Sequence, residues 1–551
     1  MWNEVFEIED VDLYGRLGWL HTKSGDVRTP ALTPVINPVR SVLEPKKIAE
    51  MGFQLLMTNS YIIKRNYGDV ALEVGVHGVL GVDTPVMTDS GAYQLMVYGR
   101  VKVEPREIVE YQVKLGSDIG VILDIPTRLD TPYRQVKAEV EETLRRAEEA
   151  VKIDRGGMLL VGPVQGGLHL NLVAYSASRL SKLPFDVYAV GGPTQVMENY
   201  MFSDLVRLVM TARLNLPWPA PLHLFGAGHP VMIPLAVAMG VDTFDSASYI
   251  LYARDDRLLT ERGTLRLEEL EELPCTCPVC SKYTPKELRE APKQERTRLL
   301  AMHNLYVILK EVRRTRQAVK EGRLWELLEE KARTHPSMAD ALKVLARYSR
   351  YFEEKHPVTR SRVQGLFYYS GISRYRPETI RHIDRLKERV ASSADILILF
   401  EETRQKPFTR AGLIKEVLNA SPELWEQADM AVLSPAFSII PLELDGVYPL
   451  GQYNAPRSLM GDVYREVAAD LSWYVTNKGY RVVILVHYGL PRIVVDTIAE
   501  RLREHGVPLL LYRVEDYESG LEEPLKVGEK ILSLVSTAHT IYNRGESPSP
   551  S

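Results

Sequence analysis

Cysteine is almost missing from this chain: three residues in 551, all between positions 275 and 280. That excludes a disulfide framework. An excess of positive charge is missing too. Lys plus Arg number 68 against 72 for Asp plus Glu, a formal charge of −4. A globally basic nucleic-acid binder is excluded, while a local basic patch is not. No apolar run approaches the ~18–20 residues of a membrane helix. The opening Met1-Trp2-Asn3-Glu4-Val5 is acidic and lacks the basic and apolar regions of a secretory leader, so a cytoplasmic protein is expected. No internal repeat is visible. What is present is 45% apolar and 25% charged residues, which excludes a mostly disordered, collagen-like or coiled-coil chain. The length suggests about three to five domains.

The first 250 residues alternate between short apolar runs and helix-like stretches. The runs are Pro30–Ile36, Gln54–Thr58, Pro85–Thr88, Ile119–Leu123, Met158–Val164, Val187–Val190, Leu222–Phe225 and Val241–Phe244. Short runs rich in Val, Ile, Leu and Met suit strands buried on both faces. Between them, Pro105–Gly116 puts Ile108, Tyr111 and Leu115 on one helical face, and Arg134–Val151 is dense in Glu and Arg. This alternation predicts an α/β fold with a parallel (β/α)8 TIM barrel, a doubly wound open sheet being the competing topology. The strand exits favour the barrel. Asp89, Asp124, Gln165, Gly191–Gly192 and Asp245 follow the third, fourth, fifth, sixth and eighth runs. In a barrel these exits converge on one face, where catalytic groups collect. The competing role for any single Asp is a helix N-cap.

The predicted organisation is a barrel domain over 1–270, a zinc-binding and helical subdomain over 271–355, an α/β accessory domain over 360–535, and a disordered tail over 536–551. A long helical stretch is expected from about Pro292 to Tyr351. The accessory domain has strand candidates Asp395–Phe400, Met430–Leu433, Val482–Val486 and Pro508–Tyr512. The tail ends in the Ser/Pro-rich Gly545–Ser551.

Cys275-Thr276-Cys277-Pro278-Val279-Cys280 offers three thiolates in six residues. Four-coordinate Zn²⁺ is the default for such soft ligands, and the nearest downstream histidine is His303. A Cys₃His site leaves no position for water, so one structural zinc per chain is expected. Thr88-Asp89-Ser90-Gly91-Ala92-Tyr93 sets a carboxylate before a tight turn, and Asp242 and Asp245 form a second pair. Two carboxylates facing one pocket can divide labour as nucleophile and acid/base in glycosidic chemistry. Asp124 can accept from a base's N–H edge, Tyr93 can stack on its face, and Gly191–Gly192 permit close backbone approach. The residues point to N- or O-glycosidic chemistry without choosing between them.

Longer segments carry a resemblance: Thr33-Pro34-Val35-Ile36-Asn37-Pro38, Thr58-Asn59-Ser60-Tyr61-Ile62-Ile63, Thr88-Asp89-Ser90-Gly91, Val164-Gln165-Gly166-Gly167, His223-Leu224-Phe225-Gly226-Ala227-Gly228-His229-Pro230, Phe244-Asp245-Ser246-Ala247-Ser248-Tyr249, Tyr252-Ala253-Arg254-Asp255-Asp256-Arg257 and the three cysteines. Over about 30–305 the chain resembles the archaeal tRNA-guanine transglycosylase family. The resemblance implies exchange of guanine at position 15 of the tRNA D-loop for 7-cyano-7-deazaguanine, a precursor of archaeosine. It matches Asp245 to the nucleophile on C1′ and Asp89 to the second, acid/base carboxylate. It matches Asp124, Gln165, Gly191, Gly192, Tyr93 and Ser90 to substrate-binding positions, and Cys275, Cys277, Cys280 and His303 to zinc ligands. No nucleotide cofactor is implied, because one glycosidic bond replaces another. Dimer contacts through the zinc region are implied as well. The turn Gly91-Ala92-Tyr93 departs from the Gly-Gly-Phe or Gly-Ser-Phe of the family. A PUA-type RNA-binding module, carried by full-length archaeal members, is not discernible, so a separate PUA-type protein acting in trans is expected. The competing reading is a paralogue, or a non-catalytic tRNA-binding scaffold, acting on already modified tRNA. Loss of Asp89, Asp245 or the cysteines would favour it, and all are present.

A neutral protein still needs local cations for phosphates. The expected patch is Arg313, Arg316 and Lys320, on one helical face by 3/4 spacing. The competing reading is a solvated face pairing with Glu311 and Glu321. His223 and His229 are read as structural hydrogen-bonders.

Overall fold

The computed structural model describes residues 2–92, 104–360, 365–456, 462–515 and 523–544. It divides into two compact units, Met1–Tyr348 and Ser349–Ser551. The first opens with an antiparallel sheet of β1 (Phe6–Asp12), β2 (Gly15–Thr22) and β3 (Gly25–Thr29). Eight strands follow: β4 (Ala31–Pro34), β5 (Leu56–Asn59), β6 (Val86–Asp89), β7 (Ile119–Val121), β8 (Leu159–Val164), β9 (Val187–Val190), β10 (Leu222–Leu224) and β11 (Thr243–Ser246). Their order is β4-β11-β10-β9-β8-β7-β6-β5, every pairing is parallel, and a parallel bridge from Val35 to Met57 joins the two ends. The Ile36 N–H donates to the Met57 carbonyl at 2.7 Å across that seam. This is a (β/α)8 barrel, not an open doubly wound sheet. All eight strands fall within or beside the apolar runs, because a strand covered on both faces tolerates no polar alternation.

The helices between them form as their sequences dictate. In Pro105–Lys114, proline opens the first turn, Glu104 and Glu107 form a capping box, and Ile108, Val109 and Tyr111 are buried. A hairpin of β12 (Arg257–Thr260) and β13 (Gly263–Arg266) leads to the cysteine loop. Beyond it the expected helical stretch consists of four helices, Lys293–Glu321, Leu324–Ala332, Pro336–Ala346 and Ser349–Lys355. The first break is at Gly322, whose φ of 71° is left-handed, and the second precedes Pro336.

The second unit carries β14 (Leu366–Phe367), β15 (Ile396–Glu401), β16 (Asp429–Ser434), β17 (Ser438–Pro441), β18 (Tyr453–Asn454), β19 (Val482–His487) and β20 (Leu509–Arg513). Its main sheet runs β17-β16-β15-β19-β20, parallel except for β17, with apolar cores on both faces. The tail expectation needs correction. Pro524–Arg544 is one helix whose Val527, Ile531, Val535 and Ala538 are fully buried, a spacing that gives one apolar stripe. Only 545–551 of the expected tail lies outside the described residues. Among the described residues, no helix is long and apolar enough to cross a membrane.

Candidate active site and metal centre

The exits of β6, β7 and β11 bring three carboxylates to one end of the barrel. Asp89 is the last residue of β6. Its Oδ2 accepts from Asn59 Nδ2 at 2.7 Å and from the Gly91 N–H at 3.2 Å. The Asn59 amide has no choice of orientation. Its oxygen caps the helix Ser60–Tyr67 by accepting from the Ile62 N–H at 2.9 Å, which turns its NH₂ toward Asp89. Ser90 is buried, and its hydroxyl donates to the Ile122 carbonyl at 3.0 Å. Burial pushes the Asp89 carboxyl up to about 7, and the charges of Asp124 and Asp245 push the same way against the Gly91 N–H. The three acids stand at the exit ends of β6, β7 and β11, and their charges disfavour one another's ionisation at Asp89. Asp89 keeps partial solvent access.

Asp124 accepts from Gln165 Nε2, and burial lifts its carboxyl to about 6 against that bond and the Arg146 charge. Gln165 Oε1 accepts from the Thr127 N–H at 3.3 Å. Gly191 is needed for this pair: a Cβ there would lie 2.1 Å from Gln165 Nε2. Its own N–H is spent on the Val164 carbonyl, and Gly192 turns the chain with φ 72°. Tyr93 lies outside the described residues.

Asp245 is buried in β11. Its Oδ1 takes His223 Nε2 at 3.1 Å and the Gly226 N–H at 2.9 Å, so Oδ2 is the oxygen left for chemistry. His223 Nδ1 meets Thr243 Oγ1 at 2.9 Å, which fixes the ring. Asn59 is a functional candidate that sequence reasoning passed over, and His223, read there as a structural hydrogen-bonder, bonds the candidate nucleophile. The available signal was a polar residue inside or ending an apolar strand, as in Leu222-His223-Leu224.

The family model described as Queuine tRNA-ribosyltransferase matches residues 12–337. The chain belongs to this family. It is 42% identical over 504 residues to a tRNA-guanine(15) transglycosylase of Saccharolobus solfataricus, covering 90% of this chain and 99% of that protein. A protein of the same name from Aeropyrum pernix is 44% identical over 492 residues, 87% and 94% of the two chains. One from Methanocaldococcus jannaschii is 43% identical over 463 residues, 82% and 68%. An alignment of 504 residues cannot fit in the 348-residue first unit, so the kinship reaches into the second.

The cysteine loop of this Queuine tRNA-ribosyltransferase family member closes into a donor set. The ligand atoms of Cys275, Cys277, Cys280 and His303 all lie within 4.8 Å of one another. His303 Nδ1 is 3.5 Å from Cys277 Sγ and 3.2 Å from Cys280 Sγ. Its Nε2–H donates to the Leu259 carbonyl at 2.9 Å, which leaves Nδ1 as the lone-pair nitrogen. Asn304, next on the helix, accepts from the Leu259 N–H at 2.7 Å and donates to the Tyr249 carbonyl at 3.0 Å. Three thiols and an imidazole so oriented fit a metal ion that prefers four soft ligands.

Of the predicted basic face, Arg313 and Lys320 are exposed and Arg316 is engaged with the barrel. Arg316 is half-buried, and its guanidinium donates to the Pro30 carbonyl at 2.7 Å and to the Arg28 carbonyl. Lys320 pairs with Asp10 of β1 at 2.6 Å, and the exposed Arg313 lies against Gly52. Arg28, Pro30 and Gly52 precede β4 and β5, so these cations tie the entry end of the barrel. Spacing showed which residues share a helix face, but not what that face rests on.

Proposed function

We propose that the protein is a tRNA-guanine(15) transglycosylase exchanging guanine for 7-cyano-7-deazaguanine in archaeosine biosynthesis. What supports this reading is the set of three carboxylates at the exit end of one barrel, held in three different ways. Asp124, ionised above about 6, accepts from the ring N–H and exocyclic NH₂ of a guanine-type edge. Both bases present that edge, so one slot serves the outgoing and the incoming base. Asp89, with its proton held until about 7, suits the general acid. Asp245, with Oδ1 anchored, suits the nucleophile. An Asp245 Oδ2–C1′ bond forms as the C1′–N9 bond breaks, and the electron pair leaves on the base, which takes the Asp89 proton. The incoming base returns its N9 proton to Asp89 and displaces the aspartyl ester. The shared name of the three relatives supports the same reading.

Radiolabelled guanine should enter unmodified tRNA when incubated with the full chain. Asp245→Ala should abolish both that exchange and any covalent RNA–protein adduct; exchange retained in that variant would remove Asp245 from the nucleophile role. The Cys₃His set is read as one structural zinc per chain, in which all four positions are protein ligands. Mass spectrometry should find one zinc, and Cys277→Ser should lose it and lower Tm by ten degrees or more on the order of several kcal/mol. A PUA-type protein in trans, a homodimer through the zinc region, and a cytoplasmic site of action belong to the same proposal.

A further inference from the structure

Beside the mouth stands an aromatic pair that the exchange chemistry does not use. Tyr200 is 56% exposed, although it is a large ring. Its φ of 56° is left-handed, a strained setting for an aromatic residue. One face of the ring is backed by His335, with centroids 4.7 Å apart and planes 29° from parallel. Phe202 meets it edge-on at 5.8 Å. His335 cannot turn away, because its Nδ1 bonds the hydroxyl and N–H of Ser337 at 2.7 and 3.2 Å as it caps the helix Pro336–Ala346. The pair therefore offers one fixed, exposed ring face.

Its position is continuous with the site. Tyr200 follows the short helix Thr194–Glu198, which begins just after Gly191–Gly192. Thr194 Oγ1 crowds Gly226, 2.7 Å from where a Cβ would stand, and the Gly226 N–H holds Asp245. Tyr252 lies on the helix that follows β11, at the same end of the barrel. Arg257 sits over the Tyr252 ring at 4.6 Å, and His229 meets its edge at 6.2 Å. Arg257 is in turn paired with Asp255 at 2.8 Å, so the local charge is mixed. A mixed-charge patch suits the flat face of a base better than a phosphate.

We propose that the Tyr200–His335 pair is a stacking platform for an unpaired tRNA nucleobase adjacent to the exchanged guanosine. The inference rests on the transglycosylase reading. A guanosine drawn into a barrel mouth leaves its neighbours in the strand without a stacking partner. Exposed aromatic rings are the usual substitute for that lost stack, whatever the base.

The test uses the full chain and a tRNA with 2-aminopurine next to the exchanged position. Tyr200→Gly removes the ring and suits the left-handed backbone, so it spares the fold. It should raise the Kd and KM for tRNA about tenfold, leave kcat within about twofold, and lose the quenching of 2-aminopurine seen with the parent protein. Tyr200→Phe should restore all three. A Kd within about twofold of the parent, unchanged quenching, or a Tyr200→Phe variant no better than Tyr200→Gly would overturn the platform. Binding and quenching are read without turnover. A parent protein that binds tRNA but exchanges no guanine would sink the transglycosylase reading and leave this one to be judged on its own data.

Discussion

The two ends of the barrel treat buried acid in opposite ways. At the entry end, Asp118, Asp186 and Asp242 directly precede β7, β9 and β11. Each accepts from the N–H of a strand beside it: Val86 at 2.8 Å, Leu160 at 2.9 Å and Leu222 at 2.8 Å. Each also has a basic partner: His77 at 3.1 Å, Arg155, and Arg16, whose Nε reaches Asp242 Oδ1 at 3.0 Å. Burial pushes Asp118 up, but His77, Ser24 and the Val86 N–H outweigh it and its carboxyl ends below the ordinary range. At Asp186 burial prevails over the Leu160 N–H and Arg155. At the exit end, Asp89 and Asp124 receive amide and backbone donors and Asp245 an imidazole at 3.1 Å, as Asp118 does; among the described residues none of the three is ion-paired with Lys or Arg, whereas Asp186 and Asp242 are. The entry acids stitch strands together. The exit acids are kept reactive, at a cost in stability. Asp242 and Asp245 stand three residues apart on one chain segment, so the contrast is set by surroundings and not by residue type.

Three substitutions would break or sharpen that contrast. The largest effect is expected at Arg16, whose removal strands a buried charge. Arg16→Met should cost about 3–5 kcal/mol in denaturant unfolding, while kcat of the folded protein stays within about threefold. A larger fall in kcat would show that the two ends are not separable. Next is Asp89→Asn. The native carboxyl holds its proton until about 7 against an ordinary 3.8, so stability drains away as pH rises from 4 to 7. The substitution should therefore stabilise the protein at pH 8, by at most about 4 kcal/mol, with the gain shrinking toward pH 4, while exchange is lost. A destabilised variant at pH 8 would place Asp89 among the stitching acids instead. The smallest effect is expected at His223, which orients Asp245 without touching substrate. His223→Gln keeps a donor and should lower kcat about tenfold with KM for tRNA unchanged. If KM moves and kcat does not, His223 shapes the mouth and does not aim the nucleophile.

The contrast also separates what the sequence made legible from what it hid. The eight barrel strands were readable because burial on both faces leaves unbroken runs such as Val187–Val190. β1 to β3 were missed because a one-sided sheet mixes buried and exposed positions, as in Phe6–Asp12. The exit acids stood out as carboxylates directly after apolar runs. The partners that set their chemistry did not, since Asn59 is 30 residues from Asp89 and His223 is 22 from Asp245. The cysteine cluster was legible from density alone, and His303 from its place downstream. Of the face formed by Arg313, Arg316 and Lys320, the contacts of Arg316 with the strands below it were hidden because periodicity carries no information about neighbouring strands.

A side chain that half-titrates near neutrality makes the protein responsive to the acidity of its cell. With Asp89 poised at about 7, roughly half of the molecules hold the transferable proton at that pH. Exchange should then fall as pH rises through about 7, because fewer molecules hold the proton that the leaving base takes.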